Sequence, residues 1–185
     1  MKLIAGRWGG RKIRFPDGEG LRPTPARLRE TLFNWLMHEM NGVRVLDLFA
    51  GSGALAFESL SRGAREAVLV DSSAIVCTQL KKELAQLNGA TGEIVRSDAQ
   101  SFLAGAARRG SAPFDVVFLD PPYHRGLLLP AMQALEQYGL LTERAWIYAE
   151  SETAPDNTAV PNTWHLHRRQ EAGQVCCSLY RRVPA

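Results

Sequence analysis

A chain of 185 residues, 45% hydrophobic and carrying a formal net charge of +3, is long enough for one full core, so one domain with at most a small appendage is expected. No apolar stretch is long enough to span a bilayer, and the start Met1-Lys2-Leu3-Ile4-Ala5-Gly6-Arg7 lacks the apolar middle of a secretory signal, so no membrane partner and a cytoplasmic location are expected. Three cysteines, Cys77, Cys176 and Cys177, form an odd set without a C-x-x-C pair, which argues against a disulfide framework and a zinc site, and no metal is expected.

In chain order, residues 2 to 15 read as a short β-hairpin with Gly9-Gly10 near its turn, followed by a Pro/Gly-rich connector from Pro16 to Pro23. Residues 1 to 30 hold eight bases against three acids, a local charge of +5 that leaves −2 for the remainder. A basic arm of this kind, interleaved with Trp8 and Phe15, suits a phosphate backbone and stacked bases. Thr24 caps a helix with Pro25 at its first position and Leu28, Leu32, Trp35 and Leu36 on one face up to about His38. Val43 to Phe49 is a buried strand, Ala54 to Arg62 a helix closed by Gly63, and Ala67 to Asp71 a second strand.

Ile75, Val76, Leu80, Leu84 and Leu87 mark the next helix, followed by a short strand at Glu93 to Arg96 and a helix from about Ala99 to Arg108. Phe114 to Leu119 is a strand, Ala131 to Tyr138 the centre of a helix, and Ala145 to Glu150 a fifth strand. After a polar loop from Ser151 to Asn162, Trp164 to Arg169 and Val175 to Arg182 pair around Ala172-Gly173 as an antiparallel hairpin. Five βα units and a terminal hairpin predict an α/β fold, a doubly wound sheet with mixed strand directions. The division is a basic hairpin and connector over 1–23 and the main domain over 24–185.

In such a sheet the ligand crevice lies at the carboxyl ends of the strands, where the winding reverses. The first strand ends Asp47-Leu48-Phe49-Ala50-Gly51-Ser52-Gly53, a tight turn whose glycines let backbone approach a ligand ahead of a helix N-terminus. Asp71 is placed to accept both hydroxyls of a ribose, and Asp98 an adenine amino group while the Ala99 N–H donates to the ring. Gly51-Ser52-Gly53-Ala54-Leu55-Ala56 also fits G-x-G-x-x-A, so a nicotinamide-dinucleotide oxidoreductase is a competing reading. Against it stands Asp47, a carboxylate that repels a pyrophosphate but holds the ammonium of an amino-acid moiety.

The fourth strand delivers Asp120-Pro121-Pro122-Tyr123. Each proline fixes its own φ and lacks an N–H, so the intervening carbonyls face outward as acceptors beside a carboxylate and an aromatic ring. That assembly suits a planar base with an exocyclic amino group: Asp120 and the Pro121 carbonyl receive its hydrogens while Tyr123 stacks on the heterocycle. Acceptors aimed at the hydrogens draw a delocalised nitrogen toward pyramidal geometry and point its lone pair at an electrophile.

DLFAGSG, the strand ending in Asp71 and DPPY, in this order, resemble the class I S-adenosylmethionine-dependent methyltransferases of exocyclic amino groups. IAGRWGGRKI, LRPTPARLRETLFNWL, LDLFAGSGALAFESLSRGA and AGQVCCSLYRR resemble the bacterial RsmD family over nearly the whole chain. The resemblance implies a Rossmann-like seven-stranded sheet and methyl transfer to the 2-amino group of one guanine in small-subunit (16S) ribosomal RNA, by in-line attack on the sulfonium methyl. DPPY by itself is shared with DNA and RNA adenine and cytosine amino methyltransferases, which remain the nearest alternatives. A noncatalytic RNA-binding assembly factor is a further one.

The family pattern implies that Asp47, Phe49, Ala50, Gly51 and Gly53 hold the methionine end of S-adenosylmethionine, Asp71 with Ser72 its ribose, and Asp98 with Ala99 its adenine. It also implies that Thr24 and Arg22 close over the methionine carboxylate. Asp120, Pro121, Pro122 and Tyr123 are then the catalytic group, and Arg7, Arg11, Lys12 and Arg22 meet the RNA. The expected partner is ribosomal RNA within an assembling or assembled 30S subunit, and the expected state a monomer.

Overall fold

The computed structural model describes residues 1–15, 26–156 and 158–183. The connector and the expectations on Arg22, Thr24 and Pro25 lie outside these residues. In order come α1 (Ala26–Trp35), β1 (Arg44–Asp47), α2 (Ala54–Ser61), β2 (Glu66–Asp71), α3 (Ala74–Gln86), β3 (Gly92–Arg96), α4 (Ala99–Arg108), β4 (Phe114–Leu119), α5 (Leu128–Gln137), β5 (Leu141–Ser151), β6 (Trp164–Ala172) and β7 (Val175–Arg182).

The strands form one seven-stranded sheet in the order β3-β2-β1-β4-β5-β7-β6. All neighbours from β3 to β5 run parallel, whereas β7 lies antiparallel between β5 and β6. This is the expected doubly wound mixed sheet with its terminal hairpin. The winding reverses between β1 and β4, which pair in register with Asp47 opposite Phe118, so two strand-end turns leave the sheet side by side there.

Alternation of side chains sorts the central strands onto two faces. Val45, Val116 and Phe118 join α1, α2 and α3 in one core, and Leu46, Val117 and Leu119 join α4 and α5 in the other. Because both faces are covered, β4 from Val116 to Leu119 reads as the apolar run expected of a parallel strand. Three elements run longer than expected: α5 begins at Leu128, β5 at Leu141, with a register shift in its pairing to β4 between Phe114 and Val116, and β6 continues to Ala172.

The N-terminal arm forms the expected hairpin in a minimal form. Lys2 and Lys12 form an isolated antiparallel bridge, with Leu3 N–H donating to the Arg11 carbonyl and Gly10 N–H to that of Leu3, both at 2.9 Å. The intervening amides turn instead to α2. Ile4 and Ala5 donate to the Glu58 carboxylate at 2.7 and 3.1 Å, and Trp8 to Ser61 Oγ at 3.0 Å. Gly6 passes so close that a Cβ there would sit 1.8 Å from the Ser61 carbonyl oxygen, which leaves room only for glycine. Leu3 and Ile13 are buried in the same core as α1 and α2, so burial and hydrogen bonds both tie the arm to the body.

Candidate active site

At the end of β1 the chain is held from both sides, with Leu48 N–H donating to the Phe118 carbonyl at 3.2 Å and Ala50 N–H to that of Val70 at 2.9 Å. Gly51 and Gly53 then adopt φ of 49° and 71°. A Cβ on Gly53 would lie 2.5 Å from Phe57 Cε2 and 2.7 Å from Leu80 Cδ2, so the tight turn demands glycine by conformation and by space.

Asp71, at the end of β2, ties this turn to the next helix. One carboxylate oxygen accepts the Gly51 N–H at 3.0 Å and the other the Ser73 N–H at 2.8 Å. Each oxygen retains a second lone pair, so the same carboxylate can still receive two hydroxyl donors. Ser73 caps α3, Ser72 beside it is exposed, Phe49 is half-buried and Ala50 is buried.

Asp47 is 2% exposed, and its Oδ2 accepts the Ala56 N–H of α2 at 3.3 Å. Burial pushes its pKa up to about 7; the Ala56 hydrogen bond opposes the rise and the charge of Asp71 adds to it. An ammonium group brought to this carboxylate would restore its ionised form. Asp98 lies on the surface as the N-cap of α4, accepting the Ser101 N–H at 2.9 Å, and that bond lowers its pKa. Ala99 is the first residue of the same helix.

On the neighbouring strand, β4 runs into Asp120, half-buried, then buried Pro121, exposed Pro122 and Tyr123, which is 37% exposed. The Tyr123 hydroxyl donates to Glu150 Oε1 at 3.3 Å. Glu150, near the end of β5, is 4% exposed, and its other oxygen accepts the Tyr148 hydroxyl at 3.1 Å. Burial raises the Glu150 pKa, and the two tyrosine hydrogen bonds oppose the rise. The Tyr123 phenol is raised in turn by its own burial and then by the charge of Glu150. Sequence reasoning gave Glu150 no role beyond closing a strand; its signal was a lone acid after the apolar run Trp146-Ile147-Tyr148-Ala149.

Of the expected RNA contacts, Arg7 lays its guanidinium over the Trp8 ring, 5.1 Å from the centroid. Arg11 and Lys12, with Lys2, Arg14 and Phe15, line an open groove of about 780 Å³ beside Gln86 at the end of α3. None of the residues at the β1 and β4 turns lines this groove. Among the described residues there is no group of three His, Cys, Asp or Glu suited to a metal ion, and no helix is long and apolar enough to cross a membrane.

A family model described as conserved hypothetical protein 95 matches residues 1–181. The chain is 47% identical over 182 residues to ribosomal RNA small subunit methyltransferase D of Escherichia coli strain K12, covering 98% of this chain and 90% of that protein. The chain belongs to the RsmD family. The Haemophilus influenzae protein of the same name is 40% identical over 184 residues, covering 98% of this chain and 93% of its own length. A solved methyltransferase from Escherichia coli superposes with a TM-score of 0.90 at 46% identity, covering 100% of this chain and 99% of that one. RsmD membership also decides between the two readings of the glycine turn, since these relatives are methyltransferases and not oxidoreductases.

Proposed function

We propose that the protein transfers a methyl group from S-adenosylmethionine to the exocyclic 2-amino group of a guanine in small-subunit ribosomal RNA. The observation that carries this reading is the juxtaposition, at one switch point, of the Asp47-to-Gly53 turn with the Asp120-Pro121-Pro122-Tyr123 turn. The relatives' printed names support the nucleic acid, and the family resemblance supports the guanine.

The residues at the glycine turn fit the methyl donor. The backbone at Gly51 and Gly53 leaves the approach free of side chains, Asp47 is a buried carboxylate suited to an ammonium, and Asp71 keeps acceptor capacity for a ribose. Asp98 and Ala99 at the start of α4 stand ready for an adenine edge. When bound, S-adenosylmethionine supplies a methyl group activated by a positive sulfonium.

On the other rim the chain's own groups prepare the acceptor. The Asp120 carboxylate and the Pro121 carbonyl take the two hydrogens of the amino group, which turns its lone pair away from the ring. The Tyr123 ring stacks on the base and offsets the few kcal/mol needed to unstack it. The proton released on transfer goes to Asp120 or to water. The basic groove along the arm supplies sequence-independent attraction to phosphates.

The test is to incubate the protein with tritiated S-adenosylmethionine and naked ribosomal RNA, assembled small subunits or DNA, then to digest to nucleosides. Label in N2-methylguanosine from either ribosomal substrate supports the proposal, and the comparison of the two shows whether the RNA must be assembled. Label in methyladenine or methylcytosine, or none, overturns it.

A further inference from the structure

We infer that Glu150 is a positioning residue that fixes the plane of the Tyr123 ring, so that the ring presents one set face to the base. This rests on the reading of Tyr123 as the stacking platform. The two aromatic residues that meet at Glu150 are unlike in setting. Tyr148 is buried in β5, 1% exposed, with its ring edge-on to Phe118 at 6.3 Å and its hydroxyl 3.0 Å from Cys177 Sγ. It is locked by the core on every side.

Tyr123 sits on an exposed loop, 37% exposed, with the neighbouring His124 ring edge-on at 6.4 Å, and its hydroxyl is the handle by which the core can hold it. Glu150 takes both hydroxyls, one on each oxygen, and thereby transfers the rigidity of the sheet to a surface ring. Glu150 is 4% exposed, and the more exposed Tyr123 is the residue through which it reaches the surface.

A second carboxylate, just past the end of β5, holds the next residue of the loop. The Glu152 side chain accepts the His124 N–H and lies 3.2 Å from its Nδ1. His124 has a φ of 59°, the one positive value outside glycine among the described residues. That left-handed bend is disfavoured in a residue with a Cβ, and the Glu152 contacts hold it in place. The carboxyl end of β5 thus grips the catalytic loop immediately behind and immediately beyond the stacking surface.

The experiment compares Glu150→Ala, Glu150→Gln, Tyr123→Phe and the double variant Glu150→Ala/Tyr123→Phe by steady-state methylation and by ¹⁹F NMR of fluorotyrosine-labelled protein. The expectation is a fall in kcat of about ten- to a hundred-fold for Glu150→Ala and for Tyr123→Phe. KM for RNA and the Kd for S-adenosylhomocysteine should stay unchanged. The double variant should be no worse than either single one, and Glu150→Gln, which keeps an acceptor, should recover most of the loss. In the spectrum, the resonance that Tyr123→Phe removes should move toward that of free fluorotyrosine in Glu150→Ala.

Losses that multiply in the double variant, or a Tyr123 resonance unmoved in Glu150→Ala, would overturn the inference. If Glu150→Ala does not fold, a wild-type kcat in Tyr123→Phe overturns it alone. Were the wild-type protein inactive on every ribosomal substrate, the proposed function would fall, while the NMR comparison would still decide whether Glu150 holds the ring.

Discussion

Around the glycine turn, the contacts that fix the site run from backbone N–H groups into carboxylates: Gly51 and Ser73 into Asp71, and Ala56 into Asp47. Around the DPPY turn two of them run from side chain to side chain, through the Tyr123 and Tyr148 hydroxyls into Glu150, and a third carries the His124 N–H into Glu152. The first rim is specified by backbone shape and admits no Cβ at Gly53. The second is specified by side-chain chemistry and can be retuned by single substitutions. On the proposed reading the methyl donor meets the rim fixed by backbone and the base meets the rim set by side chains.

The largest expected effect sits on the adjustable rim. Asp120→Ala should lower kcat by on the order of 10³-fold, since an orienting acceptor and a proton acceptor are lost together. Affinity for S-adenosylhomocysteine, measured by calorimetric titration, should be preserved. A variant that no longer binds it would move Asp120 to the other rim and dissolve the contrast.

The fixed rim is sharpened by Gly53→Ala. A left-handed alanine and the collision with Phe57 and Leu80 should together cost about 2–4 kcal/mol of stability. At roughly 2–4 °C per kcal/mol for a chain of this size, thermal melting would register a clear drop, together with weakened S-adenosylhomocysteine binding. Melting at the wild-type temperature would show that the turn tolerates a side chain.

The smallest effect is a pH dependence of the same rim. With its pKa raised to about 7, Asp47 binds a proton more tightly folded than unfolded, so it lowers stability progressively as pH rises from about 4 to 7. An ammonium ligand favours the ionised form. Affinity for S-adenosylhomocysteine should therefore climb between pH 5 and 7, by at most tenfold per pH unit, and level off above. Asp47→Asn should flatten both curves; an affinity in the wild type that is constant with pH would separate Asp47 from the ligand's amino group.

The same contrast explains what was legible in the sequence. Glycines with an acid before and an acid after are a local pattern, so the glycine turn and Asp71 could be read from spacing. So could the DPPY corner, because two prolines stiffen a turn wherever they occur. Glu150 could not be read that way. Its partner Tyr123 lies 27 residues earlier, and nothing local distinguishes it from an acid ending a strand. The arm's hairpin could be read from alternation and Gly9-Gly10, but its docking could not: Glu58 and Ser61 on α2, far along the chain, accept the amides of Ile4, Ala5 and Trp8. Arg29 belongs here too, buried under the arm with its guanidinium on the Lys2 carbonyl at 3.2 Å, although its position in a basic stretch suggested solvent.

The amides of Ile4, Ala5 and Trp8 find their acceptors 53 or 54 residues later in the chain. A chain halted before Glu58 retains the Lys2–Lys12 bridge and the Arg29 bond to the Lys2 carbonyl but lacks the acceptors for Ile4, Ala5 and Trp8, so full docking of the arm waits for α2.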